Sequence, residues 1–87
     1  MKIKNGFVVR SIAGESVVVA LGEASKNFNG IIKLNETGRF IWDKLVTGAE
    51  IEDLVEAILS EYEIDKETAE ADVKVFVETL KGAGIIE

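Results

Sequence analysis

The chain of 87 residues contains no cysteine, no histidine and no proline. The lack of cysteine excludes a disulfide framework, a thiolate nucleophile and a cysteine-ligated metal site. The lack of histidine excludes a Ser-His-Asp triad, an imidazole base and the usual zinc sites. Basic residues are also scarce, with 10 against 16 acidic residues, and the net charge of −6 disfavours non-specific binding to nucleic acid or to an anionic membrane surface.

The length and composition predict one domain over residues 1–87. The longest apolar run, residues 17–21, is too short to span a bilayer, and the N-terminus lacks the apolar segment of a signal peptide. We therefore expect a cytoplasmic protein, in agreement with the absence of cysteine. The chain is nevertheless 47% hydrophobic while 30% of it is charged, which is more apolar material than a small inert domain needs and indicates a binding surface.

Charge and residue pattern both change near residue 35. Residues 1–34 have five basic and two acidic side chains, a net charge of +3, and residues 35–87 have five basic and fourteen acidic ones, a net charge of −9. The first part is rich in Val, Ile and Gly, which predicts strands. The second part has apolar residues at helical spacing. The predicted strands are residues 7–12, 16–21 and 30–34, separated by a turn at 13–15 and a loop at 22–29, and the predicted helices are residues 35–46, 50–62 and 65–82.

Capping residues and apolar stripes define the three helices. Asn35 and Asp65 are good N-caps because their side-chain oxygens accept hydrogen bonds from free amides of the first turn. Residues Ile85 and Ile86 predict either a last strand or packing against the core. The whole pattern predicts an α+β, winged-helix-like domain with a three-stranded antiparallel sheet followed by three helices. The stripes consist of Ile51, Leu54, Val55, Ile58, Leu59 and Tyr62 on the second helix, and of Ala69, Val73, Phe76, Val77 and Leu80 on the third.

Carboxylates are the only acid–base groups present in number. Their densest group is Glu50, Glu52, Asp53 and Glu56. The last three lie opposite the apolar stripe of the second helix, so a solvated face is favoured over a pair of catalytic carboxylates. The glycines form no phosphate-binding loop, since neither GxGxxG nor GxxxxGK[ST] occurs. We predict no catalytic residue, no metal site and no cofactor.

Two features point instead to a binding groove. The third strand is short and follows a long loop, which is typical of a sheet edge with unpaired N–H and C=O groups. If Ile32 and Leu34 face the helices, Ile31 is an apolar residue on the open side. On the third helix, Ala71 and Val75 are off-stripe apolar neighbours at i,i+4. An open edge beside an apolar helix suits strand-addition peptide binding. Phe28 either covers the core or lines the groove.

Residues 34–42, LNETGRFIW, resemble the LNxTGxxIW signature of the PqqD family, also called RiPP recognition elements. Residues 7–10, 13–15 and 69–76 look like that family as well, so the resemblance covers nearly the whole chain. It implies a winged-helix-like domain without enzymatic activity. Such domains bind the leader segment of a ribosomally made precursor peptide and present it to a modifying enzyme. That enzyme is a radical SAM protein in pyrroloquinoline quinone biosynthesis, or a leader peptidase or another tailoring enzyme elsewhere.

The resemblance also implies where the leader binds. It adds as a strand to the third strand, in the cleft against the third helix. The signature residues Asn35, Gly38 and Trp42 look structural. Lys33 is a candidate partner for an acidic leader residue and Asp72 for a basic one. The predicted peptide-binding residues are Gly30, Ile31, Ile32, Lys33, Leu34, Ala71, Asp72, Val75, Phe76 and Thr79.

Alternative functions follow from the same fold. A winged helix can bind DNA through a recognition helix, but the third helix has Glu67, Glu70, Asp72 and Glu78 against three lysines, and phosphate would repel it. A dimerisation module would bury the exposed apolar surface against a second copy. We therefore expect no nucleic-acid partner and no membrane partner, and DNA binding and dimerisation stand as the alternatives to peptide binding.

Overall fold

Three strands precede three α-helices in the computed structural model, which describes residues 1–26, 28 and 31–87. The fold class predicted from the sequence, a three-stranded antiparallel sheet followed by three helices, is confirmed. Gly30, the predicted start of the third strand, lies outside the described residues. The elements are β1 (Phe7–Ile12), β2 (Glu15–Ala20), β3 (Ile32–Leu34), α1 (Glu36–Thr47), α2 (Ile51–Glu61) and α3 (Lys66–Gly82).

The sheet has the order β1-β2-β3, with both neighbouring pairs antiparallel. A two-residue turn joins β1 to β2, and its residues Ala13 and Gly14 both have positive φ, 52° and 81°. This is the backbone that matches the twist of a tight hairpin. The register places Val18 of β2 opposite Val9 on one side and Ile32 on the other. The hairpin thus positions β3 at the edge of the sheet.

One face of the sheet packs against the helices. Val18 and Leu34 belong to the buried core, and Phe7, Val9 and Ile32 pack against it. Because side chains alternate along a strand, the intervening residues face away from the helices. The helices contribute most of the core through Ile41, Trp42, Leu45, Leu54, Val55, Ile58, Ala69, Val73, Val77 and Leu80.

The predicted caps are present at two helix N-termini. The Asn35 side chain accepts a hydrogen bond from the Gly38 backbone N–H at 2.7 Å, at the start of α1. At the start of α3, Asp65 accepts from the Thr68 hydroxyl at 2.6 Å and from its backbone N–H at 3.4 Å. The hydrogen bond with the Thr68 side chain lowers the pKa of Asp65 below its ordinary 3.8.

The Asn35 cap leads to a stability prediction. Replacing Asn35 by alanine leaves the Gly38 N–H without its acceptor, and we expect the free energy of unfolding to fall by about 1 kcal/mol. Asn35→Asp is the matched control, since it keeps an acceptor at the same place. Urea unfolding monitored by circular dichroism measures both variants. Equal midpoints for Asn35→Ala and the unchanged chain would show that the cap contributes nothing.

Two segments contain structure that was not predicted, whereas the bridging and packing expected for Ile85 and Ile86 are present. The predicted loop 22–29 begins with a 3₁₀ turn, Gly22–Lys26, in which the Ser25 hydroxyl donates to the Gly22 carbonyl at 2.6 Å. At the other end, Ile86 forms an antiparallel bridge with Ile3, and Ile85 is fully buried. The N-terminal segment, for which no element was predicted, thereby packs on the core next to the last residues of the chain. Among the described residues, no helix has both the length and the apolarity that crossing a bilayer requires.

Candidate functional site

The sheet has two outer edges, one along β1 and one along β3, and the edge along β3 lies next to the helices α1 and α3. In the described part of the chain β3 pairs only with β2, so alternate N–H and C=O groups of β3 point away from the sheet. Of the backbone hydrogen bonds outside helices and strands that join described residues, none involves residues 31–34. Ile31, directly before β3, is 77% exposed. The edge therefore offers both backbone groups and apolar surface.

A depression of about 350 Å³ lies between the first turn of α1 and α3. Its floor is narrow because Gly38 brings the two helices close together. A Cβ at Gly38 would lie 3.3 Å from the Phe76 ring, 3.1 Å from Asn35 Oδ1 and 3.7 Å from Leu34 Cβ. A close approach is thus present at this glycine, in agreement with the structural role expected for it, and it involves both α3 and β3. The lining consists of Asn35, Thr37, Gly38, Ile41, Asp72, Val75, Phe76 and Thr79.

A second, wider depression of about 810 Å³ lies beside the first, toward the hairpin turn. Asn35 and Phe76 line both depressions, which are therefore adjacent, and we call the two together the strand-edge groove. The half-buried Phe76 lies where the two meet. The wider part is lined by Gly14, Glu15, Ser16, Lys33, Leu34, Asn35, Glu36, Arg39 and Phe76.

The two parts of the groove differ in charge. The wider part contains charges of both signs, and Lys33 Nζ lies 3.2 Å from Glu15 Oε2. Arg39 is engaged with Asp43 at 3.2 Å. In the narrower part the only charged lining residue is Asp72, which is in none of the ion pairs between described residues. The groove is therefore mixed in charge at the hairpin end and acidic at the α3 end.

Most of the predicted site residues fall on this groove. Lys33, Leu34, Asp72, Val75, Phe76 and Thr79 line it. Val75 is 65% exposed, which is unusual for a valine and leaves it open to a ligand. Ile31 lies just before the same strand edge, and Ile32 turns toward the core.

Four of the ten predicted residues do not line the groove in the described structure: Ile31 and Ile32, as stated above, and also Ala71 and Gly30. Ala71 is exposed, and it lines a separate shallow depression with Lys66, Glu67, Glu70 and Lys74. Gly30 lies outside the described residues. Phe28, for which two roles were open, packs against the core and makes an edge-to-face contact with Phe7 at 5.5 Å between ring centroids.

The structure also adds lining residues that the sequence-based site omitted. Asn35, Gly38 and Ile41 belong to the signature segment 34–42, which was interpreted as structural, and they form the floor of the narrower part. Glu15 and Arg39 flank the wider part. Asn35, Gly38 and Ile41 could have been included from the sequence, because a glycine in the first turn of a helix indicates that another part of the chain approaches it closely.

Comparison with known proteins gives a family and a fold. The family model of coenzyme PQQ synthesis protein D, PqqD, matches residues 15–86. The structure of TbiB1 in complex with the TbiA(beta) leader peptide is similar with a TM-score of 0.77 and 31% identity, over 100% of this chain and 95% of that one. A lasso peptide synthetase B1 complexed with the leader peptide shares the fold, with a TM-score of 0.73, 24% identity and coverage of 97% and 93%. No curated protein matches the sequence at a significant level.

Proposed function

The chain belongs to the PqqD family, and on that premise we propose that it binds the leader segment of a ribosomally made precursor peptide in the strand-edge groove. The observation that carries this proposal is the open edge of β3 beside an apolar, partly acidic groove. A similar protein, TbiB1, has been solved with a leader peptide, which supports the same class of ligand for this chain.

Binding by strand addition explains how this groove would work. Backbone groups of the leader pair with those of β3 and give affinity that depends little on sequence. Alternate leader side chains then enter the groove toward Val75 and Phe76, where selectivity arises. Burial of apolar leader side chains against Val75 contributes about 25 cal/mol per Å² of apolar area removed from water.

Charge at the two ends of the groove would set the orientation of the leader. Asp72 is suited to a basic leader residue because, among the residues that the structure describes, no other charged side chain lines the narrower part. Lys33 is suited to an acidic one, although such a residue must compete with Glu15, which lies 3.2 Å from the ammonium group. Both side chains are exposed, so each pair would add specificity more than affinity.

The role of the bound leader is to deliver the rest of the precursor. A modifying enzyme that acts on the core peptide, a radical SAM protein or a leader peptidase, would meet it at a raised effective concentration. In this proposal the chain itself performs no chemistry and needs no cofactor, and it binds the leader in the cytoplasm.

Titration with peptide tests the function. The reading frames next to the gene of this chain are first searched for a short precursor peptide, and its synthetic leader is the probe, with a scrambled peptide of the same composition as control. We expect saturable binding of one leader per chain, at least about tenfold tighter than the scrambled peptide, or about 1.4 kcal/mol. Calorimetry measures both affinities. Equal binding of the two peptides would contradict a leader-recognition function.

A further inference from the structure

A groove of about 580 Å³ lies between α2 and α3, apart from the strand-edge groove. Its floor is one flank of the apolar stripe of α2. Val55 is buried there, and Ile51 and Leu59 are half-buried, so that both leave apolar surface in contact with water. We call this feature the α2–α3 groove. Among the described residues, it shares none of its lining with the strand-edge groove.

The rim of the α2–α3 groove is acidic. Glu52 and Glu56 stand on its α2 side and the half-buried Glu70 on its α3 side, against a single basic lining residue in the described chain, Lys66. None of these four is in an ion pair between described residues. The helix α2 contains no lysine or arginine that could neutralise its own carboxylates. An occupant should therefore be apolar where it meets the floor and basic where it meets the rim.

A shallow depression on the outer face of α3 connects the α2–α3 groove with the strand-edge groove. It shares both α3 residues that line the α2–α3 groove. Its other charged residues, Glu67 and Lys74, have opposite signs and leave the acidic balance unchanged. Ala71 also lines it, one turn before Val75 of the strand-edge groove. Ala71 was predicted to bind peptide, and the structure places it between the two grooves.

The two grooves lie on opposite flanks of α3. Val75 and Lys66 are nine residues apart, which is about two and a half helical turns. The path between them goes around half of a helix about 10–12 Å across and along about 13 Å of its axis. An extended chain covers this path of roughly 20 Å with about six residues, at about 3.3 Å each. A peptide paired with β3 could therefore also reach the α2–α3 groove.

We infer that the α2–α3 groove is a second subsite for the precursor peptide and takes an apolar side chain flanked by lysine or arginine. This inference rests on the proposed function, because the leader must first pair with β3. The segment bound at the second subsite lies about six residues from the leader residue that contacts Val75. Because the second contact is intramolecular once the leader is bound, it adds affinity and selectivity for precursors with the right spacing.

A second copy of the chain fits the α2–α3 groove less well. A two-fold dimer brings the same patch of both copies together. The acidic rim of one copy would then oppose that of the other, and like charges placed this way are unfavourable. A basic segment of the precursor has the complementary charge, and the depression on α3 makes its site continuous with the strand-edge groove.

The test uses two synthetic peptides from the precursor identified for the titration above. One is the full precursor, and the other is a trimmed leader, cut three residues from either end of the segment that pairs with β3. Glu56→Lys and Glu70→Lys reverse one charge on each side of the α2–α3 groove. Glu61→Lys, at an exposed residue of α2 outside its lining, is the matched control. Calorimetry measures the affinity of each chain for each peptide.

We expect the unchanged chain to bind the full precursor about tenfold tighter than the trimmed leader. Glu56→Lys and Glu70→Lys should each weaken binding of the full precursor by about threefold to tenfold, because an attraction becomes a repulsion. The trimmed leader should bind all chains within about twofold. Replacing the basic residue of the bound segment by glutamate should restore affinity for Glu56→Lys and not for Glu61→Lys.

Several results would overturn the inference, and Glu56→Lys decides the test if Glu70→Lys fails to fold. They are equal affinity of the unchanged chain for the two peptides, unchanged precursor affinity in Glu56→Lys, or an equal loss in Glu61→Lys. A dimer of the unchanged chain that Glu56→Lys alters would assign the groove to a second copy instead. Failure of both peptides to bind the unchanged chain would overturn the proposed function.

Discussion

Val75→Asp is expected to weaken leader binding by about tenfold to a hundredfold. Val75 lines the narrower part of the strand-edge groove and is 65% exposed in the free chain. The bound leader would remove the new carboxylate from water without offering it a partner, beside Asp72, which already makes this part acidic. A buried polar group without a partner costs roughly 1–3 kcal/mol, which corresponds to this range.

Because Val75 is exposed, its substitution can change binding without a large change in stability. Because its side chain is outside the core, Val75→Asp should leave the unfolding midpoint nearly unchanged. Val46→Asp on α1 introduces the same charge at a comparable exposure away from the groove, and its leader affinity should equal that of the unchanged chain. Fluorescence anisotropy with a labelled leader compares the three chains. Equal affinity for Val75→Asp would remove α3 from the binding site.

Trp42→Ala is expected to have the largest effect on stability. The indole is 2% exposed within the core, although Trp42 belongs to the signature segment that also lines the groove. Truncating a buried tryptophan to alanine costs about 3–5 kcal/mol. Domains of this kind have a total stability of about 5–15 kcal/mol, so a large share would be lost.

Trp42→Phe separates a structural role of the tryptophan from a role in binding. It keeps an aromatic ring in the core and should lose less stability than Trp42→Ala. Guanidinium unfolding gives the free energies, and leader titration of the folded Phe variant gives the affinity. We expect leader affinity within about twofold of the unchanged chain. A larger loss in a chain that remains folded would place Trp42 in contact with the ligand.

The helices were predictable because their signals are local. Asp65 marks the start of α3, and the stripe from Ala69 to Leu80 marks the face that packs on the core. Phe76 belongs to the same stripe yet is half-buried where the two parts of the groove meet. Helical spacing predicts the direction of a side chain, but it does not predict how far the neighbouring element covers that side chain. A residue at the border of an apolar stripe can therefore belong either to the core or to the binding site.

The parts that escaped prediction depend on contacts distant in sequence. The bridge between Ile3 and Ile86 joins the two ends of the chain, and nothing near either residue indicates the other. Asn35 and Gly38 were interpreted as structural, and they are, since the cap and the close approach involve them. Their second role in the groove arises only because α3 passes in front of the first turn of α1. The Asn35 cap can be recognised from the residues around it, but the approach of α3 to Gly38 follows only from the way the helices pack.

The central claim is that a leader peptide adds as a strand to the free edge of β3. A scan of leader peptides, each methylated at one backbone nitrogen, tests it most directly through the dissociation constant of each peptide. In an added strand alternate N–H groups point to β3 and the others point away. The account predicts a loss of about tenfold or more at every second position and little change between them. A flat profile, or losses every three to four residues as for a bound helix, would contradict strand addition.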